Sequence, residues 1–115
     1  MELNTLEREI LTDIYDADNL PGMSFEIENY KLTEDNEKEK NQEFAFYLGK
    51  LKKLGFIKYK EDDAFSKNGI RNTKYNNNVT IIHEEKVHID YKGTKLVELY
   101  NYNNEESQKE MFICS

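Results

Sequence analysis

The chain has 115 residues, 37% hydrophobic and 34% charged, with a net charge of −7, enough for one domain with a modest core. Its single cysteine, Cys114, excludes an intrachain disulfide and suits a reducing compartment. No apolar run approaches the roughly 18 residues that cross a bilayer, and the opening MELNTLEREI lacks a secretory pattern, so the chain is expected to be cytoplasmic and away from membranes.

Asn4 or Thr5 is placed to cap a first helix, with Glu7 as the reciprocal acid of a capping box. Leu6, Ile10, Leu11 and Ile14 then share one face, leaving Glu7, Glu9 and Asp13 to water. Asn19, Pro21 and Gly22 end this helix. MSFEIENYKL reads as a short second helix, although Met23, Phe25 and Ile27 also alternate as a strand would. Thr33 or Asp35 is expected to cap the next helix, whose opening EDNEKEKNQE contains no apolar residue. Further along, Phe44, Leu48 and Leu51, with Tyr47 alongside, form its buried stripe. The opposite, exposed face carries Gln42, Phe46, Gly49, Lys50 and Lys53, and Gly55 closes the helix in a left-handed cap.

FIKYK alternates as a strand. Residues 61–77 read as a long polar loop with a turn signal at Asn68-Gly69, and VTIIH and VHIDY as a hairpin around EEK. Leu96, Val97, Leu99 and Tyr100 mark a closing helix that Asn101 to Asn104 interrupt. The expected organisation is a domain over 1–101 and a tail or short helix over 102–115.

Helix, short helix, helix, strand, long loop, strand, strand is the order of an α+β winged helix-turn-helix. LGKLKKLGFIKYK resembles the end of the third helix and the first wing strand of bacterial winged-helix regulators. VHIDYKGTKLVEL resembles their exit from the wing, with Asp90 where threonine is common. From Leu6 to Tyr100 the chain is similar to small winged-helix proteins of the YjcQ type from low-GC bacteria and phages. The abundance of Asn and Lys against two arginines also suits an AT-rich genome. The resemblance implies a third helix that enters the major groove of double-stranded DNA, placing Gln42, Phe46, Gly49, Lys50 and Lys53 at the groove. The loop that bears Lys67, Arg71 and Lys74 would be the wing. This helix offers few of the Arg, Ser, Thr or Asn side chains that usually read bases, and the loop is longer than a typical wing.

Charge supports the same assignment. Residues 1–37 carry eleven acids against two bases, whereas 38–60 carry seven lysines against two acids, and 64–83 hold three cations and no acid. Such asymmetry can mark a binding face, and each cation that neutralises a phosphate releases counterions. Asn72, Asn76, Asn77 and Asn78 could add neutral hydrogen bonds. The plainer alternative is a solubilising lysine face beside a flexible loop.

No catalytic constellation is present, so no enzyme activity, cofactor or metal is expected. His83 and His88 lie five apart and lack the helical zinc-protease spacing. Tyr100, Tyr102, Met111, Phe112 and Ile113 form an apolar set suited to a homodimer contact. The function expected is a small DNA-binding transcriptional regulator of bacterial or phage origin. The alternative is an acidic protein-interaction module on the same fold, whose residues 1–37 occupy the basic site of a host nucleic-acid-binding defence protein. Phe46 on an exposed face favours that alternative.

Overall fold

A computed structural model describes the backbone of residues 3–114 and the side chains of residues 3–103. It is α+β, with helices α1 (Thr5–Asn19), α2 (Glu37–Lys53), α3 (Glu61–Ala64) and α4 (Tyr91–Cys114). Strands β1 (Ile57–Lys58) and β4 (His88–Ile89) form one antiparallel pair, and β2 (Phe65–Asn72) and β3 (Asn77–Ile82) form a second.

The α1 start follows its sequence signal. Asn4 Oδ1 accepts from Glu7 N at 2.8 Å while Glu7 Oε1 accepts from Asn4 N at 2.9 Å, closing the capping box. Ile10, Leu11 and Ile14 of α1 meet Phe44, Leu48 and Leu51 of α2 in the core, joined by Ile57, Val79, Val87 and Val97. At the end of α2, Gly55 takes φ +85°, as a left-handed cap requires. The lysines of the last turn, Lys50, Lys52 and Lys53, sit where the helix dipole favours positive charge.

The two stretches that carry the winged-helix resemblance touch each other. Asp90 N donates to Phe56 O at 2.9 Å. A Cβ on Gly93 would lie only 2.0 Å from that same carbonyl oxygen. Glycine therefore lets the first turn of α4 close on the entry to β1.

Several expectations are corrected. The short second helix is reduced to a 3₁₀ turn over Ile27–Asn29. α2 is capped by Asn36, whose Oδ1 accepts from Glu39 N at 2.8 Å, and neither Thr33 nor Asp35 fills that position. Residues 61–77 are not a loop: they form α3, β2 and the turn into β3. VTIIH does not pair with VHIDY, because β3 pairs with β2 (Phe65 opposite Ile82) and β4 pairs with β1 (Ile57 opposite Ile89). α4 continues through Asn101 to Asn104. Met111, Phe112, Ile113 and Cys114 fall outside the described side chains, so the expected dimer patch lies in part beyond them. No helix among the described residues is long and apolar enough to cross a membrane.

Candidate nucleic-acid interface

The β2–β3 hairpin folds back along α2 and fastens to it through amide side chains. Asn41 Nδ2 donates to Thr80 O at 2.7 Å, Asn72 Nδ2 to Gln42 Oε1 at 2.8 Å, and Asn77 Nδ2 to Gln42 O at 3.1 Å. Gln42 is 2% exposed in consequence. This corrects its expected place on the exposed face: it is a clamp between helix and hairpin. Of the polar stretch that opens α2, Asn41, Gln42 and Glu43 are thus buried by hydrogen bonding, while Glu37, Lys38 and Lys40 stay exposed.

Phe46, Gly49, Lys50 and Lys53 do share one line on α2, and that line faces a cleft of about 620 Å³ between α2 and the hairpin. Lys52, Tyr59 and Glu61 border the cleft from the end of α2, the link after β1 and the start of α3, and Tyr75, Asn76 and Asn77 border it from the hairpin turn and the start of β3. Its floor includes the buried Ala45, Phe65 and Val79.

The hairpin cations reach this rim, each through a lining residue. Lys67 pairs with Glu61, and Arg71 Nε donates to Asn76 Oδ1 at 2.8 Å. Lys74 Nζ lies 5.3 Å from the centre of the Tyr75 ring and 2.9 Å from Glu34 Oε2. The Tyr75 hydroxyl also donates to Glu34. Cations from two distant segments therefore gather on one flank, but not bare. Lys50, Lys67 and Lys74 are partnered by Glu7, Glu61 and Glu34 respectively. Lys53 has no carboxylate partner among the described residues, nor does Lys52, whose Nζ lies 4.5 Å from the Tyr59 ring centre. Sequence reasoning missed Lys52 and Tyr59, although both lie in the stretch LGKLKKLGFIKYK.

Two titrations reflect this setting. Burial pushes the Tyr59 hydroxyl up to about 12, with Glu61 adding repulsion of the phenolate. The hydrogen bond from Tyr75, followed by that from Lys74, holds the Glu34 carboxyl down at about 2.

A second face has the opposite sign. Burial and then Asp13 raise the carboxyl pKa of Asp16. Burial, followed by the charges of Glu28 and Glu26, raises that of Glu84 against the backbone donation of Ile27. The Tyr30 hydroxyl is raised by burial and by its 2.6 Å bond to Asp13, with Glu9 and Glu84 contributing. α1 and the 3₁₀ turns Ile27–Asn29 and Glu84–Lys86 thus form one acidic surface whose members repel each other. Glu7, expected in water with these acids, is instead buried against Lys50.

His83 Nε2 lies 3.1 Å from Ser66 Oγ and His88 Nδ1 lies 2.9 Å from Asp18 Oδ1, so the histidines serve separate contacts. No group of three metal-ligating side chains occurs among the described residues. No protein-family model, curated protein or solved structure matches the chain.

Proposed function

We propose that this is a winged-helix nucleic-acid-binding protein, and that it grips its ligand in the α2–hairpin cleft. The observation that carries the reading is convergence. Lys50, Lys52 and Lys53 of α2 line one recess, and Lys67, Arg71 and Lys74 of the hairpin each contact a residue that lines it; Glu7, Glu61 and Glu34 pair with three of these six cations, and Glu43 lies buried against Tyr47. That local excess contrasts with the chain's net charge of −7, and phosphate is the anion that such a surface recruits. The element order, with α2 followed by a strand, the short α3, a hairpin and a returning strand, supports the winged-helix assignment. Transcriptional regulation is the use of such binding that the resemblance to winged-helix regulators implies. The covered Gln42 face shifts the contact away from the helix surface that a groove-reading helix presents.

The test is an anisotropy titration with mixed genomic DNA fragments, both as duplex and heat-denatured, at about 50 mM and about 200 mM salt. Binding that weakens steeply with salt supports the reading; no binding at the lower salt overturns it.

The acidic surface favours a second reading, a module that occupies a basic site on a partner protein. Met23, about half exposed beside Asp18 and Glu26, would supply the apolar part of that contact, with the half-exposed Leu20 at the end of α1. Under this reading a Glu26→Lys, Glu84→Lys double variant loses a partner captured from nuclease-treated host lysate. A partner retained by that variant counts against it.

A further inference from the structure

Resting on the nucleic-acid reading, we infer that the cleft takes single-stranded nucleic acid, with one base stacked on Phe46 and the adjoining phosphates on Lys52 and Lys53. Helical readers place a projecting helix into a major groove about 12 Å wide. Here the hairpin is clamped over Asn41 and Gln42, and the remaining open line of α2 lies in a recess. A recess of about 620 Å³ lies within the range of about 300–1,000 Å³ that holds small ligands. It accommodates a nucleotide and excludes the bulk of a duplex.

The lining chemistry matches that ligand. Phe46 is 45% exposed, yet its ring is steadied by Tyr47 and Tyr75, each with its centre 6.0 Å away. A steadied, exposed aromatic ring beside lysines that have no carboxylate partner among the described residues is the arrangement by which single strands are held, because every base has a face to stack. Asn76, oriented by Arg71 at the rim, keeps its NH₂ group for a base edge.

Gly49 is the independent sign. A glycine inside a helix costs about 1 kcal/mol relative to alanine. Nothing in the fold demands one here, because an added Cβ would meet only the Tyr59 hydroxyl, at 3.9 Å. What the missing side chain does is leave the floor between Phe46 and Tyr59 open.

The experiment measures the affinity of mixed-sequence single-stranded DNA, single-stranded RNA and duplex DNA of equal length, labelled with fluorescein, for the wild type and for Phe46→Ala. The expected result is a single strand bound at least about tenfold tighter than the duplex, with Phe46→Ala losing about tenfold on the single strand and little on the duplex. Since Phe46 is half exposed, that variant should fold, and circular dichroism checks it. A duplex bound as tightly as either single strand, or a Phe46→Ala variant with unchanged single-strand affinity, overturns the inference and leaves the broader reading standing. No binding of any of the three at low salt overturns both.

Discussion

Lys50 Nζ lies 2.7 Å from Glu7 Oε2, and this pair ties the acidic first helix to the basic end of α2. Glu7 is 1% exposed and also closes the α1 capping box through its other oxygen. Replacing Lys50 by Ala should therefore strand a buried carboxylate. Losing one partner of a fully buried pair costs roughly 3–5 kcal/mol. Lys50 is itself 40% exposed, so water offsets part of that loss. We predict a destabilisation of about 1–2 kcal/mol in urea unfolding, and a much smaller cost for Lys50→Ala in a Glu7→Gln background.

Glu43 is fully buried and pairs with no cation among the described residues. Its carboxylate accepts from Thr33 N and Glu34 N at 2.9 and 3.0 Å and from the Tyr47 hydroxyl at 3.0 Å, fixing the segment before α2. Glu43→Ala would orphan these donors, at about 1–3 kcal/mol for each one left unsatisfied. We expect a loss of about 3 kcal/mol or more, and a smaller loss for Glu43→Gln, which keeps one acceptor oxygen.

Two helical glycines should respond in opposite directions. Gly49→Ala has room and gains helix propensity, so it should raise stability by up to about 1 kcal/mol. Gly93→Ala would drive a methyl into Phe56 O and must displace α4 from β1, costing about 3 kcal/mol or more. Thermal unfolding of the two variants checks the contrast.

Much of the fold was legible because its signals are local. The Asn4–Glu7 box, the 3.6-residue spacing of Phe44, Leu48 and Leu51, and Gly55 each act within one or two turns. β2 escaped notice because only Phe65, at its first position, is buried, and FSKNGIRN has no alternation to read. Its strand state comes from pairing with β3, whose Val79 and Ile82 face inward. Gln42 was misplaced for a related reason: counting apolar residues cannot reveal a helix face buried by amides. The cleft was half visible, since the spacing that aligned Phe46, Gly49, Lys50 and Lys53 is intrinsic to the helix. The hairpin wall and the carboxylate partners depend on tertiary contacts between residues far apart in sequence, such as Lys74 with Glu34 and Lys50 with Glu7.

Acid should act on stability in two phases. The carboxyls of Asp16 and Glu84 titrate above their ordinary values in the folded state. The native state then binds protons more readily than the unfolded chain, so stability should rise as pH falls from neutral towards 4.5. Glu34 is held low by Tyr75 and Lys74, and Glu61 by Lys67. Their contribution is present above the ordinary value of 4.5 and is lost as pH falls towards 2. Urea unfolding across this range should show a mildly acidic maximum. Glu84→Gln should flatten its neutral arm, and Glu34→Gln its acidic arm.

The most direct test of the central claim is where nucleic acid touches the protein. Backbone amide shifts should be followed by ¹⁵N nuclear magnetic resonance as a mixed-sequence oligonucleotide is added at low salt. Perturbations are expected to concentrate at Phe46, Gly49, Lys52, Lys53, Tyr59 and Tyr75 to Asn77 and to fade as salt is raised. Perturbations centred on the acidic surface of Asp13, Asp16 and Glu26, or none at all, would contradict that claim.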